Sequence, residues 1–315
     1  MIVFGPIPSR RLGRSLGINN IPPKVCTYSC VYCQVGRTTR MRVERGPFYP
    51  PEEIAEAVRR RVESVRATNE SIDYVTFVPD GEPTLDVNLG RTIDLLRPLG
   101  LKTAIITNSS LMWRADVRAD LLKLDLVSVG VDAARYEPWH RVNRPHGRLQ
   151  LDGVLDGLQT FANAYEGKLI SETMLVRGVN DSEENVTAVA RFLGQLKPAR
   201  AYLAVPTRPP AEAWVCAPSE AVINRAYQIF SDRLDRVEYL IGYEGAELSS
   251  TGDVVEDLLS ITAVHPMRAD AVRDLVARAG ADWSTVDGLV DRQRLVATRH
   301  GGRTFYLRKL AVRGS

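Results

Sequence analysis

Long apolar runs are missing from this chain: nowhere do enough apolar residues follow one another to span a bilayer. The N-terminus, Met1-Ile-Val-Phe-Gly-Pro-Ile-Pro, lacks the basic segment and apolar stretch of a secretory signal. Cysteine is scarce, at 4 in 315 residues, and three of the four fall in one loop. That excludes a disulfide framework and predicts a reducing, cytoplasmic setting. Neither an internal repeat nor a low-complexity segment is present. Charge of neither sign dominates: 41 Lys and Arg face 38 Asp and Glu. With 44% hydrophobic and 25% charged residues the chain reads as an ordinary globular protein, long enough for one large domain or one domain with an appendage.

The cysteines that are present stand at Cys26, Cys30 and Cys33, within K-V-C-T-Y-S-C-V-Y-C-Q-V-G-R from Lys24 to Arg37. Three thiolates on one short loop can converge on a single soft metal centre. A structural zinc site asks for four ligands, usually in two pairs. Here there is a triplet, and Cys216 is far along the chain. A [4Fe-4S] cluster held by three cysteines keeps one iron open for a substrate or cofactor, so the odd count points to reactivity. The spacing fixes ligand number rather than the metal, and a zinc or iron site completed by a distant His or by Cys216 stays open at this point.

Residues 5–23 are punctuated by glycine and proline and read as a turn-rich lead-in to a short strand at 16–21. Arg10, Arg11 and Arg14 read as a solvated basic face, with contact to an anionic substrate as the other reading. Pro51-Glu-Glu opens a helix in which Ile54, Val58, Val62 and Val65 recur at helical spacing. Strands are then predicted at 73–79, 102–108, 125–132, 169–176, 200–205 and 237–241. Helices alternate with them at 86–97, 115–122, 149–165, 183–196 and 219–234, the last with Ser219 as N-cap. Nearly all-apolar strands alternating with helices imply a parallel sheet of right-handed crossovers. About six such units predict an α/β fold with a partial (β/α)6 TIM-like barrel. A full eight-unit barrel is the competing reading, but the pattern fades by about Gly242.

In such barrels chemistry gathers at the C-terminal ends of the strands. The cysteine loop follows the first strand. Asp80-Gly81-Glu82-Pro83 follows the second, where Gly81 would let backbone approach a ligand and free carbonyls would accept from an ammonium group. A tight β-to-α turn is the plainer reading of the same residues. Asn108, with Ser109 and Ser110, follows the third strand, to meet a ribose or cap a helix. Asp132 ends the fourth. Glu172 lies within the fifth, where an acid should be buried and partnered. R-G-V-N-D at 177–181 and P-T-R-P-P-A-E at 206–212 follow the fifth and sixth. So many polar groups on one rim predict a site.

The spacing C-x-x-x-C-x-x-C, with Tyr32 before the last cysteine, resembles the signature of the radical S-adenosylmethionine (SAM) superfamily. The succession P-S-R-R-L-G-R-S-L-G, P-P-K-V-C, G-E-P-T-L, T-N-S-S-L and P-T-R-P-P-A-E, over about residues 1–245, is similar to a branch allied to the enzymes of tRNA wyosine-base synthesis. The resemblance implies a [4Fe-4S] cluster on Cys26, Cys30 and Cys33. It implies SAM held by Gly81, Glu82 and Pro83 at the methionyl amino group and by Asn108 and Asp132 at the ribose and carboxylate, with Tyr32 and Glu172 among the contacts. The implied chemistry is one-electron reduction of SAM, fed by a reductant such as flavodoxin or ferredoxin. The resulting 5′-deoxyadenosyl radical then abstracts a hydrogen from the substrate.

From residue 253 the character changes. Helices at 253–261, 269–278 and 283–292, then strands at 295–299 and 304–308 joined by H-G-G-R, resemble a winged helix-turn-helix. Residues 254–315 carry ten Lys and Arg against seven Asp and Glu. Arg292, Arg294, Arg299, Arg303, Arg308 and Lys309 gather around the last helix and wing, where such folds touch phosphates. The chain therefore divides into a barrel at 1–245 and a module at 253–315. It reads as an enzyme that cleaves SAM, with a tRNA or other anionic substrate met by the module. Three other readings stay open: a cluster-containing DNA-binding redox regulator, a non-catalytic cluster carrier, and an enzyme acting on a peptide or small metabolite.

Overall fold

The structure, a computed structural model, describes residues 2–67, 70–240, 253–264 and 266–309. In chain order its first part holds β1 (Val3–Ser9), β2 (Gly13–Ile18), β3 (Val25–Cys26), β4 (Arg40–Met41), α1 (Pro51–Ala67), β5 (Tyr74–Phe77), α2 (Leu89–Leu96), β6 (Lys102–Thr107) and α3 (Ala115–Leu121). It continues with β7 (Leu126–Gly130), α4 (Tyr136–Asn143), α5 (Leu151–Ala164), β8 (Lys168–Met174), α6 (Glu183–Leu196), β9 (Arg200–Ala204), α7 (Glu220–Ser231) and β10 (Val237–Leu240). Eight strands share one sheet in the order β1-β2-β5-β6-β7-β8-β9-β10. From β2 to β10 every pairing is parallel, as the apolar strands separated by helices required. β1 and β10 do not pair with each other, so the sheet curls as a half barrel and stays open.

The helices cover the outer face of the sheet. α1 turns Ile54, Val58, Val62 and Val65 into the core, all at most 4% exposed, each contributing about 1.5–3 kcal/mol by burial. Glu52 and Glu53 in its first turn suit the positive end of the helix dipole. Ser219 caps α7 by accepting from the Val222 amide, as expected.

Three expectations are corrected. The lead-in is no run of turns: residues 3–18 form an antiparallel hairpin, and the first parallel strand begins at Gly13 rather than near Leu16. β1 lies at the edge of the sheet, where Pro6 and Pro8, lacking N–H groups, do no harm to a ladder. The hairpin turn drops Leu12 among Ala104, Leu126, Ile170 and Tyr202, closing the floor of the half barrel. The helix expected from residue 86 starts at Leu89, because Asp86 accepts the Asn88 amide at 2.9 Å and holds a turn there. Finally, α4 was not expected at all.

The last part holds α8 (Val254–Val264), β11 (Met267–Arg268), α9 (Ala269–Arg278), α10 (Ser284–Asp291), β12 (Leu295–His300) and β13 (Arg303–Arg308), with an antiparallel sheet in the order β11-β13-β12. β11 is an addition to the sequence reading. Leu258, Val272, Leu275, Val286 and Leu295 build this module's core, and Phe4 and Ile7 of β1 belong to the same cluster. The end expected for the last parallel strand at 241, the fading of the pattern at 242 and the boundary at 245 lie outside the described residues. No helix among the described residues is long and apolar enough to cross a membrane.

Candidate active site

The C-terminal ends of the strands surround a cavity of about 370 Å³. Cys26, Cys30, Cys33, Tyr32, Gly81, Glu82, Asn108, Asp132 and Glu172 all line it, whereas Pro83 and Cys216 do not. Cys216 is exposed on the loop after β9.

Local hydrogen bonds shape the cysteine loop. β3 pairs with β4, the Arg42 amide donates to the Cys26 carbonyl at 3.1 Å, and the Cys33 and Gly36 amides donate to the Cys30 and Cys33 carbonyls, each at 3.1 Å. The Ser29 and Val31 amides fasten the loop to the Asn143 and Val142 carbonyls of α4, both at 3.0 Å. Glu212, which ends P-T-R-P-P-A-E, is buried between Arg37 of the loop and Arg144 beside Asn143, and so ties those two segments together.

Burial pushes the Cys26 thiol up to about 12, helped by the negative charge of Glu82. It also raises Cys30 and Cys33. Thiols in this setting are protonated until a cationic centre draws the proton off. Among the described residues no three His, Cys, Asp or Glu side chains gather around a point that one metal ion would fill. A cluster, in which each thiolate binds its own iron, asks only that the thiols face a common space, and all three face the cavity. Two amides donate to the sulfurs: Asn108 Nδ2 to Cys26 Sγ at 3.4 Å and Asn143 Nδ2 to Cys30 Sγ at 3.5 Å. The donor set fits an iron–sulfur cluster.

Gly81 is needed for a closer reason than a ligand. A Cβ there would lie 2.0 Å from the Val25 carbonyl oxygen, because the Glu82 amide donates to that carbonyl at 3.1 Å and the Lys24 amide to the Asp80 carbonyl at 2.7 Å. The G-E-P turn is thus laid against the backbone of the cysteine loop. Gly81→Ala is expected to lower stability by about 1–3 kcal/mol and to cut iron uptake on reconstitution. An unchanged thermal midpoint with full iron content would contradict this.

Several rim residues spend their side chains on the protein itself. Glu82 is 1% exposed and accepts from the Thr84 amide at 3.1 Å, the Thr84 and Thr107 hydroxyls at 2.6 and 2.7 Å, and the Asn108 amide at 2.8 Å. Burial nonetheless raises its pKa. Asn108 donates to Thr27 Oγ1 at 2.9 Å and accepts from the Ser110 amide at 3.0 Å. Asp132 accepts from the Tyr32 hydroxyl, from Asn143 Nδ2 at 2.6 Å and from the Met174 amide at 2.9 Å, and burial pushes it up to about 6. Glu172 is partnered as its place in a strand required, but it is half-buried, its side chain 24% exposed, rather than buried as expected. Its partner is Arg11, brought across the cavity by the β1–β2 turn, so Arg11 is not part of a solvated face.

Sequence reading missed Asn143, Lys24 and the clamp made by Glu212. Only the Asn143-Arg144-Pro145 sequence hinted at a helix end, and nothing in it spoke of sulfur.

Asp80 is 5% exposed, and burial pushes its carboxyl up to about 7 against the pull of Arg308 and Lys24. The folded pKa lies above the unfolded one. The stability it contributes is therefore present in full below about pH 4 and is lost as pH rises through 7. Asp80→Asn should raise the urea stability of the cluster-free protein at pH 8 by about 1–4 kcal/mol and leave it nearly unchanged at pH 4. Equal effects at both pH values would refute the burial argument.

The sequence profile of the Radical SAM superfamily matches residues 20–189. A UPF0026 protein of Methanocaldococcus jannaschii is 44% identical over 314 residues, 99% of this chain and 97% of that protein. Among solved structures, a radical SAM methyltransferase from Sphaerobacter thermophilus superposes with a TM-score of 0.54 at 18% identity, over 72% of this chain and 67% of that one. TYW1 with a lysine-pyruvate adduct bound superposes with a TM-score of 0.52 at 16% identity, over 70% and 74%. At such identities the superpositions speak for the fold alone.

Proposed function

Since this chain belongs to the radical SAM superfamily, and within it to the UPF0026 proteins, it is an enzyme whose cofactors are a [4Fe-4S] cluster and SAM, and we propose that Cys26, Cys30 and Cys33 hold that cluster in the strand-end cavity. When bound, the cluster supplies the electron that splits SAM into methionine and a 5′-deoxyadenosyl radical, which takes a hydrogen from the substrate. The chain's own residues bind, orient and shield. Asn108 and Asn143 donate to two of the thiolates, which tunes a cluster's potential. The Gly81-Glu82 turn, the Asn108 rim and the Tyr32–Asp132 pair form the SAM-facing wall, and Leu12 closes the floor. Only Cys216 remains outside the triplet, so the proposed chemistry runs on one cluster. A soluble reductant such as flavodoxin or ferredoxin, in the cytoplasm, supplies the electron.

The chain is read as a barrel at 1–245 and a module at 253–315. The helix–strand–helix–helix–strand–strand order of the module and its three-stranded antiparallel sheet support a winged helix. Its exposed arginines favour an anionic substrate, with RNA, tRNA above all, as the leading class. The single observation that carries the enzymatic reading is that three thiols and polar groups from successive strand ends line one cavity. Anaerobic reconstitution, reduction with dithionite and chromatography of the products test it. 5′-Deoxyadenosine and methionine are expected, formed slowly without substrate. Their absence with and without substrate pools from cells would refute the reading.

A further inference from the structure

Positive charge gathers around the cysteine loop. Residues 24–46 and 135–148 carry nine Lys and Arg against two Asp and Glu, in a chain whose 41 basic residues face 38 acidic ones. Backbone bonds hold the two segments together: the Ser29 and Val31 amides donate to the Asn143 and Val142 carbonyls, and the His146 amide donates to the Thr27 carbonyl at 2.9 Å.

Glu212 stands between them. Its buried carboxylate accepts from two guanidinium groups, Arg37 at 2.8 and 2.9 Å and Arg144 at 2.5 Å. One acid balances one arginine, so the clamp keeps a positive charge in excess. It holds that charge at the surface, because the side chains of Arg37 and Arg144 are 70% and 41% exposed. Three more exposed arginines lie close by in the chain. Arg40 follows Arg37 by three residues, and Arg141 and Arg148 stand three before and four after Arg144. Arg40 makes no ion pair among the described residues, Arg141 donates only to the Gly178 carbonyl, and the pair of Arg148 with Glu44 is exposed and therefore weak. Trp214, two residues past Glu212, is 53% exposed and offers an apolar anchor of the kind found at the centre of interfaces.

None of these five arginines lines the cavity. A substrate has to meet the radical inside the cavity, so their charge serves something else. Yet they lie close to the sulfurs: Arg144 follows Asn143, whose Nδ2 is 3.5 Å from Cys30 Sγ, and Arg37 follows Cys33 by four residues. Electron transfer weakens steeply with distance, and a donor seated on this face would reach the cysteine loop without entering the cavity.

We propose that the arginine face around Glu212 receives a small acidic one-electron carrier protein, which reduces the cluster. One electron leaves the carrier and enters the cluster; no bond forms or breaks. The proposal rests on the reading that Cys26, Cys30 and Cys33 hold that cluster, and it adds the surface through which the electron arrives. Complementary charge steers such an encounter and fixes its orientation.

Calorimetric titration of the reconstituted holoenzyme with flavodoxin, an acidic carrier, tests this. Arg40→Glu, Arg141→Glu and Arg148→Glu combined should weaken flavodoxin by about 10- to 100-fold at about 0.1 M salt. The gap should close to less than about threefold at about 1 M, where charges reach only about 3 Å. Iron content and dithionite-driven SAM cleavage should stay at the wild-type level. Arg59→Glu, Arg60→Glu and Arg91→Glu, on α1 and α2, change the net charge equally and should weaken flavodoxin by less than about threefold. If the first triple variant loses iron, Arg40→Glu alone carries the test, with an expected loss of about three- to tenfold. Equal weakening by the two triple variants, or unchanged affinity in the first, overturns the proposal. So does a wild type that cleaves SAM with dithionite but does not bind flavodoxin, and so does a loss of tRNA affinity in place of flavodoxin affinity, which would make the face an RNA site. A wild-type protein that takes up no iron overturns the cluster reading beneath, an outcome distinct from the others.

Discussion

Alanine at Cys26, Cys30 or Cys33 should abolish the charge-transfer absorbance of the reconstituted protein and bring reductive SAM cleavage down to background, while Cys216→Ala should keep both. The asymmetry follows from placement. The three thiols face one cavity, two of them accept amide hydrogen bonds, and burial raises the pKa of all three. Cys216 lies outside the cavity and is exposed. Losing one thiolate of three leaves a site with too few ligands, so the effect is all or none rather than graded. Iron and sulfide analysis with visible absorbance measures the cluster, and chromatography measures 5′-deoxyadenosine. Full cluster loss in Cys216→Ala, or none in Cys30→Ala, would refute the assignment. The clamp gives a milder comparison: Glu212→Gln keeps all ligands and loosens the tie between Arg37 and Arg144, so cluster yield should fall only in part.

What the sequence disclosed, and what it hid, follows from the range of the forces involved. The parallel strands were legible because each is an apolar run between amphipathic helices, and α6 and α9 match their expected bounds. The strand-end location of Gly81, Asn108 and Asp132 followed from topology alone. Side-chain direction did not. Asp132, Asn143 and Cys30 come together across 113 positions of chain, and Arg11 meets Glu172 across 161. No local pattern encodes such meetings. β1 was hidden because its prolines read as turns unless the strand is known to be an edge. Gly81 shows the subtler failure. Its need for glycine was legible, but the surface pressing on it is the cysteine loop itself rather than a ligand.

Deleting residues 253–315 is expected to harm the barrel as well as any substrate contact. The sequence suggested a separate appendage, yet Phe4 and Ile7 of β1 are 4% and 9% exposed within the module's core, and Arg61 of α1 lies 3.9 Å from Asp257. Re-exposing those two side chains forfeits roughly 1.5–3 kcal/mol each, a large share of a stability of about 5–15 kcal/mol. The damage falls on the hairpin that carries Leu12 and Arg11 into the cavity floor. Truncated protein should therefore melt lower and take up less iron, and a melting point equal to wild type would show that the shared core matters little. A role in binding RNA needs a gentler change. Arg292, Arg294, Arg299 and Arg303 are exposed, whereas Arg308 is half-buried and donates to the Leu259 carbonyl at 3.4 Å. Serine at the four exposed positions leaves the apolar contact with β1 intact. If these arginines meet phosphates, tRNA affinity should fall and the slope of log K against log salt should shrink by roughly 3, at about 0.7–0.9 per contact removed. A slope identical to wild type would instead make the module a docking or stabilising element.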